Sequence, residues 1–236
     1  MSNSYFQFKQ FRIQQDKTAM KVCTDSCILG AYVRVAQAKQ ILDIGTGTGL
    51  LALMVAQRSQ AQIDAVEIDK AAAEQATENV ADSPFADRIR VHSSSIQAYS
   101  VRCRKKYDVV ISNPPFFSNH LKRKEFSQNV ALHSESLQLS ELAIITSYLL
   151  EKEGSFIVML PVHETNLLEA AAEEVNLYPY EKLHILEKYK GRQLRIITSF
   201  AFNPQPCVER TLYIKTLEGT YTPDFVSLLQ PYYLYM

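Results

Sequence analysis

A doubly wound α/β fold is what this 236-residue sequence predicts, and three observations lead to it. From residue 39 to about residue 160, short apolar runs alternate with amphipathic or alanine-rich segments. Several of the runs are apolar without polar alternation, which is how a parallel strand covered on both faces reads. Three of only seven glycines, Gly45, Gly47 and Gly49, fall within five residues directly after the first run. That glycine total is about half the usual share of roughly 7%, so a chain this sparing has a backbone reason to cluster them.

The elements follow in order. Residues 1–38 form an N-terminal extension, with a helix expected over residues 24–37 and Thr24 as its N-cap. The main domain spans residues 39–236. Strands are expected at residues 41–44, 63–67, 89–91, 107–112 and 155–160. Helices are expected at residues 49–58 and 70–82. They are expected again at 137–150, where Leu142, Ile145 and Leu149 form one stripe, and at 162–175, with Leu168, Ala171 and Val175. Strand alternating with helix gives a mainly parallel sheet. Residues 179–214 read as β-rich, with runs at 183–186, 194–202 and 211–214, and residues 222–229 read as a closing helix before a tyrosine-rich end. No linker marks off a second domain.

Composition excludes several classes. At 47% hydrophobic and 21% charged, the chain is neither disordered nor fibrous. No apolar run approaches the ~18 residues that span a bilayer, and the first residues lack the apolar core of a signal peptide, so a cytoplasmic protein away from membranes is expected. Cys23, Cys27, Cys103 and Cys207 are scattered without CxxC pairs, which predicts free thiols and no metal.

The glycines sit in Ile41-Leu-Asp-Ile-Gly-Thr-Gly-Thr-Gly49, where a buried strand turns into a helix. Glycine there permits positive φ and close approach of a ligand to the backbone, at the strand end where open α/β sheets bind ligands. Dinucleotide sites use G-x-G-x-x-G with a pyrophosphate at the helix N-terminus. Here the spacing is G-x-G-x-G after Asp43, and a carboxylate at the turn disfavours phosphate and favours a cation. Glu67 ends the second strand, where a carboxylate binds ribose hydroxyls in nucleoside-cofactor folds. Together these fit S-adenosylmethionine, a nucleoside with a sulfonium and no phosphate. Asp69, two residues on, reads better as a helix cap.

The fourth strand ends in Asn113-Pro114-Pro115-Phe116. Successive prolines remove two backbone donors and leave carbonyls free to accept. The Asn113 side-chain oxygen beside the Pro114 carbonyl would form a paired acceptor for an –NH2 group, and Phe116 can stack on a planar ring. Accepting both N–H bonds would localise the nitrogen lone pair for in-line attack on a methyl group. Positioning and electrostatics would then carry the catalysis without a separate general base.

This pair of motifs resembles the nitrogen-methylating class I methyltransferases. Within them the chain is similar to the bacterial enzymes that methylate the adenine N6 beside the anticodon of valine tRNA. The resemblance extends to Phe6-Gln-Phe-Lys-Gln-Phe11, Met20-Lys-Val-Cys-Thr-Asp25, Ile28-Leu-Gly30 and Ser83-Pro-Phe-Ala-Asp-Arg-Ile89. It implies a seven-stranded Rossmann-like sheet whose last strand is antiparallel. It places Lys21, Thr24 and Asp25 over the methionine end of S-adenosylmethionine, and lines the cofactor with Asp43, Gly45 and Gly47. Glu67 would hold the ribose, and Asn113, Pro114, Pro115 and Phe116 the target base. Where many class I enzymes carry an acidic residue for the adenine amino group, this chain has His92-Ser-Ser-Ser95; Ser94 is the candidate. His133 stands where the family carries an Arg-His pair. The alternatives are a guanine-N2 rRNA methyltransferase, a release-factor glutamine-N5 methyltransferase, against which Phe116 counts, and an inactive RNA-binding protein on the same fold.

Zero net charge looks wrong for a tRNA enzyme, since phosphate contacts supply much of the affinity. The charges are segregated, however. Residues 101–128 hold Arg102, Arg104, Lys105, Lys106, Lys122, Arg123 and Lys124 against Asp108 and Glu125. Residues 182–195 hold Lys182, Lys188, Lys190, Arg192 and Arg195 against Glu187. These segments are the expected tRNA contacts, and a monomer is the expected unit.

Overall fold

A computed structural model describes residues 3–18, 20–114 and 137–236. Strands β1 (Tyr5–Gln7) and β2 (Arg12–Gln14) form an antiparallel hairpin, followed by helix α1 (Thr24–Tyr32). The main sheet uses β3 (Gln40–Ile44), β4 (Gln62–Glu67), β5 (Ile89–Ser93), β6 (Tyr107–Ser112), β7 (Leu150–Leu160), β8 (Tyr178–Lys188), β9 (Gln193–Ala201) and β10 (Val208–Lys215). The helices between and after them are α2 (Leu50–Ala56), α3 (Lys70–Ala81), α4 (Ile96–Arg102), α5 (Leu139–Leu149), α6 (Val162–Glu173) and α7 (Pro223–Leu229).

The sheet order is β10-β8-β9-β7-β6-β3-β4-β5. Only β9 runs antiparallel to its neighbours, so the first seven strands of this sheet have the expected arrangement with the seventh reversed. An eighth strand, β10, is added parallel to β8 at the edge, which corrects the count of seven. Residues 211–214, legible as a short apolar run, belong to this longer edge strand.

Alternation along the strands separates two cores. Ile41, Ile63, Ala65, Val109 and Ile111 pack on the face covered by α1, α2 and α7. Leu42, Ile44, Val66, Val110 and Val158 pack on the face covered by α4, α5 and α6. The central strands β3, β4, β6 and β7 therefore bury apolar side chains on both faces, as their lack of regular polar alternation predicts.

The extension is part of the first core. Phe8, Phe11 and Ile13 are buried with Ile28 and Leu29 of α1. Phe6 and Phe8 contact Tyr233 of the tyrosine-rich end at centroid separations of 5.6 and 5.9 Å. Gln14 N–H donates to Asn79 Oδ1 of α3, and Asn79 Nδ2 donates back to the Gln14 carbonyl, which fastens β2 to the main domain. Gly30 lets α1 lie close on α2, since a Cβ there would sit 2.6 Å from Met54 Sδ.

Helix α1 is shorter than expected: it stops at Tyr32 rather than near residue 37, and Cys23, not Thr24, is its N-cap. The Arg58 guanidinium at the end of α2 donates to the Gly30 and Val33 carbonyls, both at 2.7 Å, and ties off the C-terminal turn. Val33 then turns extended, and Val33 and Val35 are buried at alternate positions. Asp69 is the N-cap of α3, accepting from Ala72 N–H at 2.8 Å, as expected.

A buried ion cluster joins β4, β5 and the start of β6. Asp64 accepts from His92 Nε2 at 2.7 Å, Lys105 Nζ at 2.6 Å and Tyr107 Oη at 2.9 Å. Burial alone would raise the Asp64 pKa, but these donors outweigh it and hold it at about 2. Because the folded value lies below the unfolded one, its stabilisation is complete above about pH 4 and is lost as the pH falls through 2. Asp64→Asn should cost about 2 kcal/mol near neutral pH, an amount that fades on acidification. Denaturant titrations of both proteins at pH 7 and pH 3 check this; equal stability at pH 7 would contradict it.

Candidate functional site

Strand register assembles the site before any side chain is considered. Ile44 pairs with Ser112 of β6 and with Val66 of β4, and Glu67 pairs with Ser93 of β5. The residues just past these pairs, Gly45, Glu67, Ser94 and Asn113, therefore share the carboxyl edge, with neighbouring strands about 4.8 Å apart. The connections leave β3 towards β4 and leave β6 towards β7. The edge between β3 and β6 is thus the point at which the strand order reverses, where such sheets bind ligands.

The glycine turn is built on left-handed backbone, with φ of +72° at Gly45, +57° at Gly47 and +83° at Gly49. A Cβ at Gly45 or Gly47 would meet nothing within 4 Å, so both face the open space a cofactor needs. Gly49 is the N-cap of α2. The turn is held to β4, with Gly45 and Thr46 N–H both donating to the Val66 carbonyl at 2.9 and 3.1 Å.

Asp43 lies fully buried beneath this turn. Its Oδ2 accepts from Thr46 Oγ1 at 2.5 Å, and its Oδ1 has no hydrogen-bond partner among the described residues. Burial pushes the Asp43 pKa up to about 7; the Thr46 hydrogen bond opposes the rise, and the nearby Glu67 charge adds to it. An under-satisfied buried carboxylate of this kind favours a cation at the turn. Glu67 is also buried; its Oε2 accepts from Gly47 N–H at 2.8 Å and its Oε1 from Asp69 N–H at 2.9 Å. Each oxygen keeps a further lone pair for a hydroxyl. The donor set and the open glycine edge therefore fit a cationic nucleoside such as S-adenosylmethionine.

Asn113 follows β6 directly. Its Nδ2 donates to Ser26 Oγ of α1 at 2.8 Å, while its Oδ1 is buried without a partner among the described residues. Ser26 lies 3.1 Å from Cys23 Sγ and is itself buried. The extension thus fixes which way the amide faces, leaving its oxygen as a free acceptor. Sequence reasoning missed Ser26, because only the packing of α1 on α2 brings residue 26 to residue 113. Thr46 was missed too, although its place inside the glycine motif could have marked it.

The other expected cofactor residues are placed unevenly. Thr24 opens α1 and is exposed, and Asp25 pairs with Arg195 Nε at 3.4 Å. The Lys21 ammonium is held by the carbonyls of Gln15 and Thr18 within the extension. Ser94 N–H donates to the Glu67 carbonyl at 2.8 Å and its hydroxyl to the Ser95 carbonyl at 3.0 Å, while Ser95 caps α4. An open cavity of about 310 Å³ next to them is lined by His92, Ser93, Ser94, Tyr99 and Arg102. Pro114 is described; Pro115, Phe116, Lys122, Arg123, Lys124 and His133 lie outside the described residues.

The basic segment at Arg102–Lys106 needs correction. It lies between α4 and the start of β6, the end of the sheet opposite Asn113 and about 20 Å from it along a six-residue strand. Lys105 is engaged by Asp64, and Lys106 donates to the Tyr148 carbonyl. Chain proximity to the Asn-Pro-Pro motif misled here, because a whole strand intervenes. The segment over residues 182–195 instead reaches the site's end of the sheet where β8 turns into β9.

All four cysteines are free thiols. Among the described residues no group of three or more His, Cys, Asp or Glu side chains could hold a metal, and no helix is long and apolar enough to cross a membrane.

The chain resembles known proteins in sequence and in fold. The sequence pattern of the Methyltransferase small domain matches residues 19–146, more than half of the chain. A Cytophaga hutchinsonii protein named tRNA1(Val) (adenine(37)-N6)-methyltransferase is 44% identical over 99% of both chains. Proteins of the same name from Trichodesmium erythraeum and Bacteroides thetaiotaomicron are 43% and 42% identical, covering 99% and 100% of each chain. Among solved structures, a predicted O-methyltransferase from Agrobacterium tumefaciens superposes with a TM-score of 0.70 at 17% identity, over 88% of this chain and 96% of that one. A methyltransferase from Pyrococcus furiosus gives 0.60 at 16% identity, over 82% and 90%. At such identities the two structures show the fold alone.

Proposed function

Because this chain belongs to the family of tRNA1(Val) (adenine(37)-N6)-methyltransferases, we propose that it methylates the exocyclic nitrogen of an adenosine at the carboxyl edge of its sheet. The substrate is adenosine 37 of valine tRNA, beside the anticodon. The observation that carries the reading is the Asn113 amide, anchored through Nδ2 to Ser26 with Oδ1 left as a buried free acceptor beside the glycine turn.

S-adenosylmethionine, when bound, supplies a methyl carbon made electrophilic by its sulfonium. Gly45 and Gly47 give it backbone clearance, Asp43 provides negative charge from beneath the turn, and Glu67 takes the ribose hydroxyls. Ser94 serves the adenine edge, with Lys21, Thr24 and Asp25 at the methionine end. Asn113 Oδ1 and the Pro114 carbonyl accept the two N–H bonds of the target amine. That arrangement turns the lone pair out of conjugation with the ring and aims it along one line. By the family motif, Pro115 and Phe116 are assigned with Asn113 and Pro114 to the target base, and His133 is a further candidate contact. As the nitrogen gains its methyl group it sheds one proton, and no side chain is required to remove it beforehand. The acceptor pair does most for the transition state, where the amine hydrogens become more positive.

Adenosine 37 lies in a loop, so unstacking it costs less than extruding a base from a duplex. The roles are filled within one chain, which makes the monomer the proposed unit, and action on tRNA suits the cytoplasm. The test is direct. Unmodified valine tRNA is incubated with the protein and S-adenosylmethionine, digested, and scored for N6-methyladenosine by mass spectrometry. N2-methylguanosine in rRNA, or methylated release-factor glutamine, with no N6-methyladenosine in tRNA, would overturn the reading.

A further inference from the structure

The β8–β9 hairpin carries features that neither the reaction nor the core requires. β8 runs parallel to β10 and ends, with Lys188, at the same edge of the sheet as Asn113. The turn closes with Gly191 N–H donating to the Lys188 carbonyl at 2.8 Å and Glu187 N–H to the Arg192 carbonyl at 3.0 Å. Lys188, Tyr189, Lys190 and Arg192 are exposed, and Tyr189 retains 54% of its surface. Among the described residues no carboxylate pairs with Lys188, Lys190 or Arg192, whereas Lys182 lower in β8 is neutralised by Glu169. Lys215 of β10 lies in register with Lys188 and is also exposed.

Two details show that the tip is built to present its groups. Tyr189 packs edge-on against Tyr213 at 5.9 Å between centroids, and the Lys190 ammonium lies 5.6 Å from its ring centroid, so the ring and a cation stand together at the tip. Lys190 occupies the left-handed region at φ +54°, where glycine or asparagine would be easier. A lysine kept at a strained turn position is a candidate for function. From β6 to β8 is three strand steps, about 15 Å, a distance covered by a few nucleotides of a stacked strand at about 3.4 Å each.

We propose that this hairpin tip is an RNA-docking arm for the anticodon-loop strand. Tyr189 stacks on an unpaired base there, and Lys188, Lys190, Arg192 and Lys215 take the phosphates around it. The arm deepens the tRNA reading and rests on it. Exposed aromatic rings flanked by basic side chains bind single strands in this way. The Asp25–Arg195 pair, at the base of the hairpin, joins the arm to α1 and so to the helix that orients Asn113.

The test uses the full chain and unmodified valine tRNA. With Lys188→Gln, Lys190→Gln and Arg192→Gln combined, KM for tRNA should rise at least about tenfold, while kcat at saturating tRNA and the Kd for S-adenosylmethionine stay within about twofold. The slope of log affinity against log salt should shrink by about 2, near 0.7 for each phosphate that these side chains no longer neutralise. Tyr189→Ala should raise KM severalfold without changing the slope. Lys190→Gly separates folding from docking, since it should raise Tm by relieving the left-handed lysine and still raise KM. Unchanged KM and slope in the triple variant would overturn the arm. So would an equal loss in Arg104→Gln/Lys106→Gln at the far end of the sheet, which would mean diffuse attraction. If the unaltered protein methylates no tRNA in the same assay, the functional reading fails instead.

Discussion

Asn113→Ala should lower kcat by roughly 100- to 1,000-fold while the Kd for S-adenosylmethionine stays within about twofold. The size follows from what removal of one preorganised polar group costs when it acts on developing charge, about 3–4 kcal/mol. The separation of turnover from cofactor binding follows from position. Asn113 follows β6 and is tied to Ser26, whereas the glycine turn hangs on β3 and β4. Single-turnover methylation under saturating tRNA, beside calorimetric titration of the cofactor, reads both quantities. A rate within threefold of the parent would remove Asn113 from the mechanism. Equal losses in rate and cofactor affinity would make it a structural residue of the pocket.

Asp43→Asn should have opposite effects on folding and on binding. Burial lifts the Asp43 pKa to about 7, well above its unfolded value. A raised carboxylate pKa means that the ionised form is disfavoured in the fold, so stability declines as the pH rises from about 4 towards 7 and levels off above. An amide of the same shape removes that penalty. Without cofactor, Asp43→Asn should be more stable at pH 8 by about 3 kcal/mol, a Tm rise of several degrees for a chain of this length. Stability should also lose part of its decline with pH. With cofactor the sign reverses, because the carboxylate is stabilised by the neighbouring cation and the amide is not. A loss of 10- to 30-fold in affinity corresponds to about 1.4–2 kcal/mol, the range of a hydrogen bond to a charged group. Differential scanning calorimetry at pH 5 and pH 8, with and without S-adenosylmethionine, measures all four corners. A variant that is less stable at pH 8 without cofactor, and binds it normally, would refute this account.

Both predictions rest on motifs that were legible in the sequence, and the reason is local. Three glycines in a row of alternate positions demand left-handed backbone, and Gly45, Gly47 and Gly49 all adopt it. Runs that carry apolar residues at successive positions demand cover on both faces, and β3, β4 and β6 have it. Asp69, short and polar before an alanine-rich segment, caps α3 through its own side chain. In each case the determining interactions lie within a few residues.

What the sequence determined by itself, then, was the alternation of the central strands and helices, the left-handed glycine turn after β3 and the place of Asn113 directly after β6. Tertiary structure decided the features that join distant residues. Helix α1 ends at Tyr32 because Arg58, 26 residues further on, caps its carbonyls. The Asn113 amide is oriented because Ser26, 87 residues earlier, accepts from its Nδ2 and leaves Oδ1 unpaired among the described residues. Zero net charge left the tRNA surface open to argument; strand direction resolved where the two described basic segments lie. Arg102–Lys106 falls at the amino end of β6 and Lys188–Arg192 at the carboxyl edge, because a strand carries its two ends about 20 Å apart. Composition can count charges, but only the direction of the strands says which of them stand at the edge of the sheet that carries Asn113.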